Sequence, residues 1–264
     1  SDEVSGRALQ RFALVKDLQV DYRPGLPAGE LKQIIGEYTA LVVRSQTKVT
    51  AEVIDAGTRL TVIGRAGTGV DNVDLEAATR RGIVVMNVPG GNTVSAAEHT
   101  LALLLSMARG IPAADRSMRA GKWERGRFVG SELEGKTLGV LGLGKVGREV
   151  AHRARSFGMD VIGHDPFLSA DDIERSRTTV VPIDEVFRRS DFITIHSPLT
   201  PQTHHLVGEK EIASCKPGVR IINCARGGIL DEQALLRHLR SGHVAGAALD
   251  VYEEEPPKEL PFRE

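Results

Sequence analysis

Residues 137–147 read Thr-Leu-Gly-Val-Leu-Gly-Leu-Gly-Lys-Val-Gly, and the fold turns on this stretch. A five-residue apolar run, Thr137–Leu141, leads directly into Gly142, Gly144 and Gly147 in the spacing G-x-G-x-x-G. The following segment places Val146, Val150, Ala151, Ala154 and Phe157 on one helical face. Strand, glycine turn and amphipathic helix, in that order, form the phosphate-binding start of a dinucleotide-binding unit. The glycines permit a tight turn, close approach of backbone to a pyrophosphate, and tight packing of helix on strand. The helix N-terminus offers free N–H groups and a positive dipole end. Asp165 ends the next predicted strand, twenty-three residues after Gly142. A carboxylate there accepts both adenosine-ribose hydroxyls and repels a 2′-phosphate, which points to NAD over NADP. A second glycine-rich stretch, Gly64–Asn72, has Asn72 where the third glycine would fall and reads as a substrate-side loop.

Working outward, short β-branched runs alternate with helical segments on both sides of this motif. Upstream, Leu18–Tyr22, Ala40–Arg44, Leu60–Arg65 and Ile83–Asn87 read as strands, with helices over Ala28–Tyr38, Thr50–Ala56 and Asp74–Arg81. Downstream, Asp160–Gly163, Thr179–Val181, Phe192–His196, Arg220–Asn223 and Ala245–Leu249 read as strands with helices between them. A long helix, Val94–Arg109, has Asn92 and Thr93 as cap candidates and capping-box spacing at Ser95 and Glu98. Its apolar positions run almost all round, which predicts burial between two units. The alternation as a whole argues an α/β chain with two parallel sheets.

Composition narrows the function classes. The chain has 264 residues, 41% hydrophobic and 26% charged, with a net charge of −1. That is a globular profile with no global basic field for nucleic acid or anionic lipid. Two cysteines, Cys215 and Cys224, make no disulfide framework and suggest a reducing, cytoplasmic compartment. The longest apolar run, Leu101–Ala108, falls far short of the ~20 residues of a membrane span, and no signal peptide opens the chain. Beginning at Ser1 and stopping just after a proline-rich loop, the sequence reads as a section of a longer protein.

A catalytic end is suggested by Ile222–Gly228, which sets Arg226 directly after a predicted buried strand. Ligands of open α/β sheets gather at that carboxyl edge. The guanidinium fork suits a substrate carboxylate, and a carboxylate among Glu253–Glu255 could orient a catalytic imidazole. On spacing alone, Arg226 could equally cap the strand end, and Glu253–Glu255 could be a solvated loop. No histidine pair has metal-ligand spacing with a carboxylate, so no metal is expected. His99 reads as a packing residue, His196 as structural or as a cofactor-loop contact, and Cys224 as an inert thiol.

Five segments carry a family resemblance: Val42–Thr50, Gly64–Asp74, Gly121–Arg125, Asn223–Gly228 and Ala248–Pro257. Over nearly its whole length the chain resembles the D-isomer-specific 2-hydroxyacid dehydrogenases, and among them those acting on 3-phosphoglycerate. The resemblance implies two Rossmann-like doubly wound parallel-sheet domains joined by hinge segments. Residues 1–88 would form an incomplete substrate-binding lid domain. Residues 89–264 would form the NAD-binding domain with a bridging or dimerisation helix. It makes Arg226 the binder of substrate carboxylate and carbonyl, and Glu255 the partner of a catalytic histidine. Cofactor contacts would come from Thr68, Gly142, Gly144, Lys145, Val146, Gly147, Asp165, Ser197, Cys224, Ala225, Arg226 and Asp250. Arg44 and Arg65 would face the substrate phosphate, with N–H groups around Gly67 on the carboxylate. The implied activity is NAD-dependent oxidation of 3-phosphoglycerate to 3-phosphohydroxypyruvate in serine synthesis, by a homodimer or higher homo-oligomer. Met118–Val129, with Trp123, would help form the subunit contact. The family's catalytic histidine lies in a Pro-His-x-Gly motif, and this sequence ends before it. The rival readings are a glyoxylate- or hydroxypyruvate-type reductase and a non-catalytic NAD-sensing co-repressor.

Overall fold

The computed structural model describes residues 1–258 and Phe262. The chain divides into two units, Ser1–Asn92 and Thr93–Glu264. The first contains α1 (Gly6–Ala13), α2 (Ala28–Ile34), β1 (Ala40–Val43), α3 (Ala51–Ala56), β2 (Val62–Arg65), α4 (Leu75–Arg80) and β3 (Val84–Met86). Its strands pair in parallel in the order β1-β2-β3. Apolar residues of strands and helices close one core, with Val43, Ile54, Ile63 and Ala77 fully buried. Asp74 caps α4 by accepting the Ala77 N–H at 2.9 Å.

One predicted strand is absent. Leu18–Tyr22 alternates as a strand should, yet the structure gives it no strand, and Leu18, Val20 and Tyr22 are exposed. The segment borders an open apolar cavity of about 290 Å³ whose walls also include Leu41 and Val42 of β1 and Leu9 and Phe12 of α1. A strand exists through its neighbour's N–H and C=O groups, and this segment has no ladder partner among the described residues.

The second unit contains α5 (Thr93–Arg109), α6 (Ile111–Arg119), β4 (Thr137–Leu141), α7 (Lys145–Arg155), β5 (Asp160–His164), α8 (Ala170–Ser176) and β6 (Thr179–Val180). It continues with α9 (Ile183–Arg189), β7 (Phe192–Ile195), α10 (Glu209–Ala213), β8 (Val219–Asn223), α11 (Glu232–Arg240) and β9 (Val244–Leu249). All six strands are parallel, in the order β6-β5-β4-β7-β8-β9. That order is the doubly wound nucleotide-binding one, and it reverses between β4 and β7. Period-two alternation sorts side chains onto two cores. Leu138, Val140 and Phe192 join α5 and α7 on one face, while Leu141, Ile193 and Ile195 join α9, α10 and α11 on the other.

Helix α5 is buried on one face only. Ala97, Leu101, Leu104 and Ala108 pack within the second unit, while Val94, Ala102 and Arg109 are exposed. Gly110, in the left-handed region at φ 62°, turns the chain from α5 into α6, a helix the sequence reading omitted. No helix among the described residues is long and apolar enough to cross a membrane.

Candidate functional site

The glycine loop lies where the second sheet reverses its order. Gly142, at φ 94°, sits against β7's end: a Cβ there would stand 2.8 Å from the His196 carbonyl carbon. A Cβ on Gly147 would stand 2.0 Å from the Gly142 carbonyl oxygen, so only glycine lets α7 start this close to β4. Gly144 differs, because the space its Cβ would fill is open. It precedes α7 with no side-chain cap, leaving the first N–H groups of an eleven-residue helix to an incoming anion. A bare backbone at an uncapped helix start fits a pyrophosphate. Lys145 is exposed there and Val146 half-buried.

Asp165 stands at the end of β5 and ties it to the loop. Its Oδ2 accepts the Leu143 N–H at 2.9 Å and its Oδ1 the Phe167 N–H at 3.0 Å. Ser197 donates to the Leu141 carbonyl at 3.2 Å, so β4 and β7 are joined at the same edge.

Further along this edge, Arg226 follows β8 on a loop pinned by buried Asn223. The Asn223 amide donates to the Arg226 carbonyl at 2.9 Å, and its Oδ1 accepts the Ala225 N–H at 3.0 Å. Arg226 Nη1 donates to the Ala225 carbonyl at 2.7 Å. The next residue makes the decisive contact: a Cβ on Gly227 would stand 1.8 Å from the Tyr252 carbonyl oxygen. The Arg226 loop and the loop after β9 are therefore pressed together. Glu255 sits on that second loop, exposed, its Oε1 accepting the Tyr252 N–H at 3.1 Å. The structure thus brings Arg226 and Glu255 to one end of the sheet.

Asp250 begins the same loop and pairs with His99 of α5, Oδ1 to Nε2 at 3.1 Å, both half exposed. His99 is consequently a surface partner of an acidic residue rather than a packing residue. Cys224 lies nearby. Burial pushes its thiol up, with Thr100 opposing and the Asp250 charge adding, to about 11. It is protonated and unreactive at neutral pH. Burial lowers His196 from the usual 6.5 to about 4, and its Nε2 lies 2.9 Å from the Thr194 hydroxyl. A ring so weakly basic and so engaged makes a poor proton acceptor. No group of metal-binding side chains occurs among the described residues.

The first unit has its own site at the carboxyl edge of β1 and β2. Arg44, Ser45, Arg65, Gly67, Thr68 and Asn92 line an open cavity of about 400 Å³. Arg65 Nε is buried and has no hydrogen-bond partner among the described residues. Its guanidinium lies over Gly67, where a Cβ would meet Nη1 at 1.7 Å. Arg44 is exposed, donating from Nη1 to the Glu3 carbonyl at 3.3 Å. Thr68 donates to Asn92 Oδ1 at 2.7 Å, and Asn87 donates to the Thr68 carbonyl at 2.6 Å. Two cations, one with an unused donor, converge on a cavity that suits a small anion. Sequence reasoning missed the side chains that hold these loops: Asn87, Asn72 and Asp2, whose partners lie elsewhere in the chain, and Asn223, whose local ties to Ala225 and Arg226 carry no motif of their own.

Comparison with known proteins agrees with this geometry. Residues 101–264 match the family model described as "D-isomer specific 2-hydroxyacid dehydrogenase, NAD binding domain". The D-3-phosphoglycerate dehydrogenase of Homo sapiens is 56% identical over 242 residues, 92% of this chain and 45% of that protein. The chain thus spans about half the length of the curated relatives it matches. The TT0316 protein of Thermus thermophilus superposes with a TM-score of 0.91 at 36% identity, covering 99% of this chain and 84% of that one. The D-lactate dehydrogenase of Aquifex aeolicus, solved with NAD and lactic acid, gives 0.83 at 31%, covering 96% and 76%. With the sheet order, the glycine loop and the Asp165 carboxylate already in place, the chain belongs to the D-isomer-specific 2-hydroxyacid dehydrogenase family, and its second unit is that family's NAD-binding domain.

Proposed function

We propose that the protein oxidises 3-phosphoglycerate to 3-phosphohydroxypyruvate with NAD, the step that opens serine synthesis. One observation carries the choice of substrate: the cavity shared by Arg44 and Arg65, with Arg65 Nε buried and unused among the described residues. A doubly charged phosphate calls for fixed cations, and a lactate-type acid does not. The 56% identity to a D-3-phosphoglycerate dehydrogenase supports the same reading.

NAD, when bound, supplies the hydride acceptor. The uncapped start of α7 and the Gly144 backbone would hold its pyrophosphate, and Asp165 its adenosine ribose. Arg226 would bind the substrate carboxylate and polarise the C2 oxygen, its position set by Asn223. Glu255 would pair with an imidazole base, favour its charged form and so help it accept the C2 hydroxyl proton. Asp250, steadied by His99, and Cys224 with Ala225 would flank the nicotinamide. A homodimer is part of the reading: Ile111, Met118, Trp123 and Val129 expose apolar area on and after α6.

The test is NADH formation by the full-length protein with 3-phosphoglycerate, D-glycerate and D-lactate. Oxidation of the phosphorylated acid at least about tenfold faster, lost in Arg44→Ala and Arg65→Ala, is the expected result. Equal rates on all three acids, or a preference for glyoxylate or hydroxypyruvate reduction, would overturn the phosphate assignment. NAD binding with no turnover on any of them would favour the sensing alternative.

A further inference from the structure

We infer that Asp2 is a positioning residue of the anion site, its carboxylate fixing the turn from which Arg44 reaches a substrate phosphate. The inference rests on the reading of Arg44 as a phosphate binder.

Strand β1 ends at Val43, and the next three residues, Arg44, Ser45 and Gln46, are exposed. A cation on a free turn would lose much of its binding energy to ordering. Here both ends of the turn are clamped. The Asp2 Oδ2 accepts the Arg44 N–H at 2.5 Å and the Thr47 N–H at 3.2 Å. Its Oδ1 accepts the Thr47 hydroxyl at 2.5 Å. From the opposite side, the Asn72 amide donates to the carbonyls of Arg44 and Thr47, each at 2.6 Å. Arg44 and Thr47 therefore have N–H and C=O both engaged, and the residue that carries the guanidinium is held at its own backbone.

Asp2 suits this task chemically. An ionised carboxylate is acceptor-only and can take three donors at once, which neither a hydroxyl nor an amide does. It is only 3% exposed. Burial pushes its carboxyl up, but the Thr47 hydroxyl and the Arg44 and Thr47 N–H groups outweigh this and keep it below its ordinary value. The charge is thus turned inward onto donors, away from the 400 Å³ cavity that Arg44 lines. Arg65 is treated differently, its guanidinium laid over Gly67, so loosening the 44–47 turn disturbs one cation and leaves the other.

The experiment is calorimetric binding of 3-phosphoglycerate and D-glycerate to the full-length protein and to Asp2→Ala, Asp2→Asn, Asn72→Ala and Arg44→Ala. A positioning role predicts that Asp2→Ala weakens 3-phosphoglycerate by about tenfold and leaves D-glycerate within about twofold. Asp2→Asn, whose amide oxygen can take two of the three donors, recovers part of that loss. Asn72→Ala, which frees the turn from the other side, reproduces the selective loss should Asp2→Ala fail to fold. Equal weakening of both ligands would overturn the inference, since a general structural role predicts it. So would full 3-phosphoglycerate affinity in Asp2→Ala and Asn72→Ala while Arg44→Ala is weakened. If Arg44→Ala itself binds like the parent, the phosphate-binding reading of Arg44 falls instead.

Discussion

Strand β4 in the second unit has parallel partners on both sides, β5 and β7, whereas β1 in the first pairs with β2 alone, and an apolar cavity of about 290 Å³ lies over residues of all three strands, among them Val42, Gly64 and Met86. The second sheet has six strands with a core on each face. The first has three strands and one core. Both present their candidate site residues at the carboxyl edge, yet they hold them differently. In the second unit backbone contacts so close that only glycine fits add to the side-chain ties of Asp165 and Asn223. In the first the turn after β1 is clamped by two polar side chains, buried Asp2 and half-buried Asn72. The thicker sheet adds backbone packing to its side-chain ties. The thinner one relies on hydrogen bonds reaching across the chain.

The strongest test of that difference is a matched pair of truncations. Ile63 on β2 and Ile193 on β7 are both fully buried on strands paired on each side. Ile→Ala at either site costs about 2–5 kcal/mol. Hydrogen exchange should show Ile63→Ala stripping protection from β1–β3 while β4–β9 keep theirs. Ile193→Ala should leave the second sheet measurably weakened but folded. Equal loss from both sheets in either variant would break the comparison.

Overpacking the glycine loop comes next. Gly147→Val drives a side chain into the Gly142 carbonyl, a clash no rotamer relieves, at a cost of about 1–3 kcal/mol. NAD affinity should fall by more than about tenfold, because α7 can no longer start beside β4, while 3-phosphoglycerate affinity stays put. An unchanged NAD affinity would mean the close approach is dispensable.

The two regions were also unequally legible in the sequence. Thr137–Gly147 could be read because its meaning is local: strand, turn and helix are contiguous, and each glycine answers a neighbour within a few residues. Asp165 followed from its fixed distance to Gly142. Arg226 and Glu255 remained open on spacing, since what unites their loops is Gly227 against Tyr252, a contact between distant segments. Leu18–Tyr22 was misread because alternation records a preference for being half-buried, while a strand also needs a partner. Asp2 gave no signal, because its bonds span more than forty residues. The His99–Asp250 pair was hidden for the same reason.

A smaller effect is expected at Asp165. Its carboxylate accepts the Leu143 and Phe167 N–H groups and so belongs to the loop as well as to the proposed ribose site. Asp165→Ala should weaken NAD by about tenfold, roughly 1.4 kcal/mol, through loss of a charged acceptor. Asp165→Asn, which keeps an acceptor for the loop, should recover the thermal midpoint but not the affinity. Recovery of both would reduce Asp165 to a loop tie.

The least pronounced difference at neutral pH is in acid sensitivity, and it separates the units by window. His196 is lowered from 6.5 to about 4, so the unfolded chain binds its proton first as pH falls. Its contribution is intact well above 6.5 and declines as pH drops toward 4, by about 1–2 kcal/mol near pH 5.5. Asp2 is also lowered, but as a carboxylate it keeps its contribution above the unfolded value of about 4 and loses it only as pH falls through the folded one. The second unit should therefore begin to soften while the first still holds, with the first following only below about pH 4. Exchange protection followed sheet by sheet across that range checks the order. His196→Gln should flatten the early loss in the second unit and Asp2→Asn the late loss in the first. Softening of the first unit at the higher pH would mean that its loops do not depend on the buried carboxylate.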